Sequence, residues 1–352
     1  MTPNGRQSRA PQTRAAAWAG YQQGTHAERP RRRPGLLVIG DVVTDVLALH
    51  QRPIATGTDT AADIVVRPGG SAANTAAWAA SLGADVRLLA RVGSDTGEWH
   101  RRQLVAAGVR PHLQVDPNRP TAVIVVMVDA AGERTMLTHR GAGGHLSPAD
   151  WRDDLLDGSA HLHVSGYALF SPGGRDLVRL AMNQARRRGV PISVDPASTG
   201  FLSDFGVEQF VEATAGCVIL PNRDEAVLLT GEADIETAAA ALSRTYSLAV
   251  VKLGGVGALA ARQGRVVVRV PGRRVAPIDS TGAGDAFAGG FLAARLTGAG
   301  ERAALVAGCR AGAVAVSQVG ARPHVDTSAP GGAPPRFPLP GWQTPSHDLS
   351  RR

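Results

Sequence analysis

Short apolar runs alternate with longer stretches of helical spacing along most of the chain. Such runs, followed mostly by Gly, Pro or Asp, are typical of buried strands. They predict strands at 36–39, 86–90, 160–165, 191–194, 217–220 and 247–253. The stretches with apolar residues at helical spacing predict helices at 71–82, 97–107, 173–188, 223–230 and 235–244. This alternation predicts an α/β fold with a mainly parallel central sheet and helices on both faces.

Three further strand-like segments do not fit the alternation. Residues 121–128 and 134–139 alternate in polarity on either side of a turn, which predicts a β-hairpin. The third segment is a strand at 60–67. We expect these segments to form a small separate sheet that acts as a lid over the main domain.

The two ends of the chain differ from its body in composition and charge. Residues 1–34 carry seven arginines and one acidic residue, and residues 326–352 are rich in Pro, Gly and Ser. Both compositions predict disorder, so residues 35–325 are expected to form one domain. The net charge of +8 lies outside residues 35–320, which are neutral. A neutral body argues against a nucleic-acid partner.

Hydropathy and cysteine content bear on the location of the protein. No apolar run reaches the length of a membrane span, and no apolar signal segment follows the N-terminal arginines. The two cysteines, Cys217 and Cys309, do not have the spacing of a disulfide framework or a zinc site. These features predict a cytoplasmic protein with no membrane partner.

The segment from Asp279 to Asp285, Asp-Ser-Thr-Gly-Ala-Gly-Asp, is the strongest candidate for chemistry. Small and apolar residues follow it and predict a helix that starts at the glycines. Backbone N–H groups at a helix start favour a bound anion, and Gly282 and Gly284 would let that anion approach closely. Asp285 would then lie where a carboxylate can accept a proton beside a phosphate. The alternative, from the residues alone, is an acid near an ordinary glycine turn.

Two segments nearer the N-terminus place polar groups after strands. Asp41 and Asp45 follow the first strand, and either carboxylate could hold two hydroxyls of a polyol or simply cap a turn. Gly69 and Gly70 precede the helix that carries Asn74, so backbone and amide could meet a ligand there. The alternative is that the serine after these glycines is an N-cap with no ligand.

Two later segments suit a nucleotide and its metal. Asn222 follows a strand and Glu225 lies one helical turn later, so the pair could hold water around Mg²⁺ or form a capping box. Lys252 ends another strand and is followed by Gly254 and Gly257, a spacing that suits close approach to a phosphate or an adenine edge. All these segments follow strands, where open α/β sheets bind ligands.

Together and in this order, the segments resemble the ribokinase-like sugar kinases of the PfkB family over about residues 35–325. Residues 69–97 are similar to the N-terminal signature of that family, and residues 279–285 to its C-terminal signature. Asn222-x-x-Glu225 matches its magnesium and phosphate motif. The resemblance implies a three-layer ribokinase-like fold with a β-sheet lid, and ATP-dependent phosphoryl transfer assisted by Mg²⁺.

The resemblance also implies a role for each matching residue. Asp285 would take the proton of the attacking hydroxyl, and the N–H groups of Gly282, Ala283 and Gly284 would form an anion hole. The residues implied to hold the sugar are Asp45, Gly69, Gly70 and Asn74. Those implied to bind the nucleotide are Asn222, Lys252, Gly254 and Gly257. Glu225 would hold Mg²⁺ through water, and Asp279, with the loop 312–323, would belong to a site for a monovalent cation such as K⁺.

The resemblance leaves the substrate open among ribose, fructose, 2-keto-3-deoxygluconate and nucleosides. Residues 132–141 are similar to members that act on keto-sugar acids, so Arg134 or Arg140 could meet a substrate carboxylate or remain a solvated lid residue. Lys252 stands where many members carry Thr, and it could contact phosphate or point to solvent. A non-catalytic sugar- or nucleotide-binding regulator is the alternative function. Lid strands in this family often mediate dimers, which implies a homodimer.

Overall fold

The structure is a computed structural model, and it describes residues 34–131 and 133–323 apart from the side chain of Arg134. The strands are β1 (Gly35–Ile39), β2 (Val43–Leu49), β3 (Asp63–Gly69), β4 (Asp85–Gly93), β5 (Val109–Asp116), β6 (Ala122–Val128), β7 (Arg134–His139), β8 (Ser159–Ser165), β9 (Ile192–Asp195), β10 (Val218–Ile219), β11 (Leu248–Lys252), β12 (Gly257–Arg262) and β13 (Arg265–Pro271). The helices are α1 (Ser71–Ser81), α2 (Gly97–Ala106), α3 (Pro172–Arg187), α4 (Thr199–Phe205), α5 (Val207–Thr214), α6 (Arg223–Thr230), α7 (Ile235–Thr245), α8 (Ala283–Leu296) and α9 (Glu301–Val316).

Nine of these strands form one sheet in the order β13-β12-β11-β10-β9-β8-β1-β4-β5. Neighbours from β11 to β5 run parallel, and β12 and β13 add an antiparallel hairpin at one edge. All five residues of β1 are buried, because a central parallel strand is covered on both faces. The predicted mainly parallel sheet is therefore confirmed.

Helices cover both faces of this sheet and complete three layers. On one face, Leu177 of α3, Phe210 of α5 and Leu242 of α7 belong to a single buried apolar cluster with β8 and β9. On the other face, the cluster contains residues of α1, α2, α8 and α9, including Phe291 and Leu305. Because parallel strands point their carboxyl ends to one edge, the loops after β1, β9, β10 and β11 meet there.

The remaining strands form a second sheet in the order β3-β2-β6-β7, which is the predicted lid. β2 pairs antiparallel with β3 and parallel with β6, and β6 and β7 form the predicted hairpin. The strand predicted at 60–67 spans Asp63–Gly69 instead. The polarity pattern did not indicate β2. Only the first three of its seven residues are buried, and two of these are the polar Thr44 and Asp45.

Several other segments depart from the sequence prediction. β5, α4 and α5 were not expected, and the β-like run at 258–270 is a hairpin of β12 and β13. The segment 312–323 was expected to be a loop, but α9 continues to Val316 and only residues 317–323 form the loop. Apart from Pro34, the predicted tails at 1–34 and 326–352 lie outside the described residues. Within the described residues, we find no helix long and apolar enough to cross a membrane.

Candidate active site

The start of α8 forms a tight turn against the C-terminal loop. Gly282 is the N-cap of the helix and has a left-handed backbone, with φ of 73°. A Cβ atom at this position would overlap Ala321 of the loop, so glycine is required both by the backbone and by the contact. Ala283 and Gly284 are the first two residues of the helix, where N–H groups have no acceptor within the helix. The Ala283 N–H donates to the Ser280 carbonyl at 3.4 Å, and anion binding at residues 282–284 stays a prediction.

Asp285 lies in the first turn of α8 and receives two side-chain hydrogen bonds from α1. The hydroxyl of Ser71 donates to Oδ1 at 2.8 Å, and the Nδ2 of Asn74 donates to Oδ2 at 2.9 Å. Burial and, to a smaller extent, the Asp195 and Asp41 carboxylates raise the pKa of Asp285 to about 7, although the two hydrogen bonds act to lower it. A carboxylate with such a pKa exchanges its proton readily near neutral pH.

Lys252, at the end of β11, lies beside this turn and does not point to solvent. Its Nζ donates to the Asp195 carboxylate at 2.6 Å, and both side chains are largely buried. A Cβ atom at Gly284 would lie 3.4 Å from the same Nζ, so the amine adjoins the anion turn. Burial acts to lower the pKa of Lys252, but the carboxylates of Asp195 and Glu225 outweigh it and raise the pKa. The amine is therefore charged.

Asp195 was not among the residues predicted from the sequence. It is the last residue of β9, and it immediately follows the predicted strand at 191–194. The same signal, a carboxylate at a strand end, had indicated Asp41 and Asp45.

Asn222 and Glu225 form the capping box that the sequence left as an alternative. The Oδ1 of Asn222 accepts from the Glu225 N–H at 2.9 Å, and Glu225 Oε2 accepts from the Asn222 N–H at 2.8 Å. Burial raises the pKa of Glu225 to about 7, whereas Lys252 acts to lower it. The pair therefore caps α6 and also faces the buried cluster of Lys252 and Asp195.

The two glycines after β11 differ in their surroundings. A Cβ atom at Gly257 would overlap the Val270 carbonyl, so this glycine is required by the β12–β13 hairpin. A Cβ atom at Gly254 would meet no atom within 4 Å. Gly254 therefore leaves space for a ligand at this turn, as does Gly255, where a Cβ atom would also meet no atom within 4 Å.

The acids predicted to follow the first strand have separate roles. Asp41 caps α1, because its oxygens accept from the N–H groups of Ser71 and Ala72 at 2.8 and 3.2 Å. Asp45 lies on β2, where its carboxylate packs directly over Gly69, so that a Cβ atom there would overlap it. Burial raises the pKa of Asp45 to about 7, while the Arg322 guanidinium acts to lower it.

Ser71 follows Gly70, the N-cap of α1, and its hydroxyl is used by Asp285 rather than as a helix cap. Asn74 lies one turn further on the same helix and reaches the same carboxylate. The structure thus brings Asn74 to Asp285, while Gly69 and Gly70 lie at the start of the same helix. The role of Ser71 toward Asp285 was missed.

Asp279 connects the anion turn to the C-terminal loop. Its Oδ1 accepts from the Thr281 N–H at 2.9 Å, and its Oδ2 accepts from the Gly320 N–H at 3.0 Å. Both oxygens therefore hold backbone in place at the position where the resemblance implied a monovalent cation.

Arg140 lines the space under the lid and is half-buried there. Its Nη1 and Nη2 donate to the carbonyls of Phe170 and Tyr167, each at 2.7 Å, and the guanidinium lies 5.7 Å from the ring centre of Phe201. Burial lowers the pKa of Arg140. It clamps the loop after β8, and its contact with a substrate carboxylate stays a prediction. The side chain of Arg134 lies outside the described residues.

A pocket lies between the lid and this loop and adjoins Asp41. Val43 and Ile124 of the lid face it from one side, and Tyr167 and Phe201 from the other. The pocket is mainly apolar, with aromatic rings on the side of the main domain.

A helix start with a carboxylate and a buried amine beside it is an arrangement that suits phosphotransferases acting on an alcohol group. Comparison with known proteins agrees with this class. Residues 33–328 match the model of the pfkB family carbohydrate kinases, and the chain belongs to that family.

Individual relatives agree with this assignment. The ribokinase of Haemophilus influenzae is 28% identical over 84% of this chain and 96% of its own length. The adenosine kinase of Sinorhizobium meliloti superposes with a TM-score of 0.76 at 28% identity, over 83% of this chain and 96% of that chain. An E. coli protein described as a ribokinase II, solved with ATP and Mg²⁺, has a TM-score of 0.72 at 26% identity over 82% and 94%. The chain is thus a sugar or nucleoside kinase with the ribokinase-like fold.

Proposed function

We propose that this protein transfers the γ-phosphoryl group of ATP to a hydroxyl of a sugar or sugar acid, with Asp285 as the base. The observation that carries the proposal is the position of the Asp285 carboxylate. It is held by Ser71 and Asn74 in the first turn of α8, directly after the anion-binding residues 282–284.

In this mechanism the chain contributes positioning and charge rather than covalent chemistry. Asp285 accepts the proton of the sugar hydroxyl as that oxygen attacks the γ-phosphorus. The N–H groups of Gly282, Ala283 and Gly284 donate to the oxygens of the transferred group, where negative charge concentrates. The charged amine of Lys252, next to Gly284, adds a full positive charge to these dipoles. ADP then leaves with the electron pair of the broken P–O bond.

The nucleotide and its metal would lie at the ends of β10 and β11. The open space at Gly254 suits a phosphate or the edge of a base. The oxygen donors at this edge, on Glu225 and Asp195, fit Mg²⁺, which binds through few carboxylates and keeps several waters. Mg²⁺, when bound, neutralises phosphate charge. Glu225 and Asn222 would hold it through water. A role for Asp279 in K⁺ binding stays a proposal, and a dependence of the rate on K⁺ would support it.

The sugar would bind where α1 begins. Asp45 and Asn74 offer oxygen and nitrogen atoms to hydroxyls, and Gly69 and Gly70 let the ring approach the backbone. Arg140 lines the pocket under the lid but is already bonded to two carbonyls, so it does not single out a keto-sugar acid. Ribose, fructose and 2-keto-3-deoxygluconate therefore remain equal candidates.

A nucleoside is the second candidate substrate, and a specific observation favours it. The pocket under the lid is apolar and carries the rings of Tyr167 and Phe201, a surface on which a nucleobase can stack.

Release of ADP, measured by a coupled assay, tests the proposal with ribose, fructose, 2-keto-3-deoxygluconate and adenosine, each with Mg²⁺ and ATP. We expect saturable turnover with one of them, and its loss in the Asp285→Asn variant. Saturable sugar binding by calorimetry without turnover on any of the four would instead support a non-catalytic regulator.

We also propose a homodimer formed through the lid and a location in the cytoplasm. The edge strands of the lid expose apolar side chains, with Ile64 and Leu137 more than half exposed at 52% and 59%. Such residues on the two edge strands of the lid suit an interface between two copies. Both Cys217 and Cys309 are free thiols, which suits a reducing compartment.

A further inference from the structure

Arg322 reaches the substrate side of the site from the far end of the chain. It lies in the loop 317–323 after α9, which is anchored where the Trp78 Nε1 donates to the Ala321 carbonyl at 2.9 Å. Gln318 Nε2 donates to the carbonyl of Arg322 itself at 2.7 Å. The loop therefore holds the backbone of Arg322 in one place, and its guanidinium extends toward the end of β3.

The guanidinium makes two hydrogen bonds to groups predicted to hold the sugar. Its Nη2 donates to the Gly69 carbonyl at 2.9 Å, and its Nε donates to the Oδ1 of Asn74 at 3.3 Å. Within the described residues, its Nη1 is buried and has no hydrogen-bond partner. Burial lowers the pKa of Arg322 to about 10, against the carboxylates of Asp45 and Asp41, so the group is charged at neutral pH.

These contacts determine the orientation of the Asn74 amide. A guanidinium only donates hydrogen bonds, and an ionised carboxylate only accepts them. The amide of Asn74 lies between the two, with Oδ1 toward Arg322 and Nδ2 toward Asp285. The reverse orientation would place two donors together on one side and two acceptors together on the other. Arg322 and ionised Asp285 therefore allow the amide one orientation only.

We propose that Arg322 is a positioning residue, which acts through Asn74 to keep a hydrogen bond directed at the Asp285 base. The inference rests on the proposed function for the role of Asp285 as base. The hydrogen-bonded chain from Arg322 through Asn74 to Asp285 exists independently of that role. It also links the Gly69 carbonyl, where the lid strand β3 ends, to the reacting carboxylate.

Other titratable groups also lie near Asp285 and influence its pKa. Asp195 and Asp41 raise the pKa of Asp285, and Lys252 and Tyr167 are the other titratable groups within electrostatic reach. On its own side, Arg322 faces Asp45 and Asp41, and it also lowers the pKa of His100. Among the described residues, the Asn74 side chain is hydrogen-bonded to Asp285 and Arg322 and to none of these other groups, so none of them takes the place of the donor that orients the amide.

The experiment measures the pKa of Asp285 directly by carbon NMR of protein labelled at aspartate carboxyls, with Asp285→Asn to assign the signal. We compare Arg322→Met, Arg322→Lys and the control Arg310→Met, which removes an exposed arginine of α9. In Arg322→Met the amide is no longer held, and we expect the pKa of Asp285 to rise by about one unit, a tenfold change in proton affinity.

Arg322→Lys keeps the charge but cannot donate to Gly69 and Asn74 with a fixed fork, so a smaller rise is expected. Arg310→Met should leave the pKa of Asp285 unchanged. A role limited to stability would lower the melting temperature without moving this pKa. A wild-type pKa of Asp285 in Arg322→Met, or in Arg322→Lys if the methionine variant does not fold, overturns the proposal. Because the titration needs no turnover, absence of ATP consumption with any substrate would reject the proposed function and not this inference.

Discussion

Asp285→Asn is the substitution that separates the chemistry from the binding. The amide keeps the size of the side chain and can still accept from Ser71 or Asn74, so sugar and ATP should bind nearly as before. The variant cannot take a proton, and a positioned general base contributes ~10²–10⁴-fold. We therefore expect kcat to fall by at least about 100-fold, with small changes in the two KM values.

The raised pKa of Asp285 adds a second expectation, for stability. The pKa is about 7 in the folded protein and ~3.9 in the unfolded chain. The folded state therefore binds a proton that the unfolded state releases, and stability falls as pH rises from about 4 to 7. Three pKa units correspond to roughly 4 kcal/mol of free energy of unfolding. Asn removes this cost but gives up one hydrogen bond to a charged group, worth ~1.5–3 kcal/mol.

The variant should consequently be more stable than the wild type at pH 8, by roughly 1–3 kcal/mol, and less stable at pH 4. Urea unfolding of both proteins across this range measures the difference. The wild-type kcat should rise with pH through about 7, as the base loses its proton. Unchanged turnover in Asp285→Asn would refute its role as the base. A stability difference that does not vary with pH would refute the raised pKa.

Three further substitutions test Lys252, Asp45 and the lid residue Leu137. Lys252→Met should lower kcat at least about tenfold. It should also lower the free energy of unfolding by about 3–5 kcal/mol, because Asp195 is left buried without a cation. Adding Asp195→Asn should restore stability but not kcat, and recovery of both would assign Lys252 a structural role alone. Asp45→Asn should raise the KM for the sugar ~10–100-fold and leave that for ATP unchanged, as initial rates will show; an equal rise in both would contradict sugar binding at Asp45. Leu137→Glu should halve the mass measured by light scattering, and a wild-type protein that is already monomeric would reject the lid dimer.

The main sheet could be predicted from the sequence because its strands are buried on both faces. β1 has no exposed residue, so its apolar run is visible without tertiary information. β2 and β5 carry polar residues on strands with one open face or at an edge, and the same criterion misses them. The hairpin of β6 and β7 was found because its alternation and turn are both local.

The site could be predicted only where its residues share a motif. Residues 282–285 form one turn, and they belong to the seven consecutive residues from Asp279 to Asp285 that carry the motif. The hydrogen bond from Arg322 to Asn74 joins residues 248 positions apart, and the ion pair of Lys252 with Asp195 joins residues 57 apart. No local pattern relates these partners, because the sheet topology and the C-terminal loop bring them together. The capping box of Asn222 and Glu225 was ambiguous for the opposite reason, since one spacing serves both a cap and a ligand.

Lys252 changes the electrostatics of the anion site in a way that the shared motif does not specify. Here the amine is kept charged by Asp195 and Glu225, whose attraction outweighs the cost of its burial. A phosphate that binds at Gly284 would compete with Asp195 for the Nζ of Lys252. The amine would need to move only a short distance to reach the phosphate. The amine is therefore placed to follow negative charge as it develops on the transferred group, while Asp195 prevents it from losing its proton beforehand.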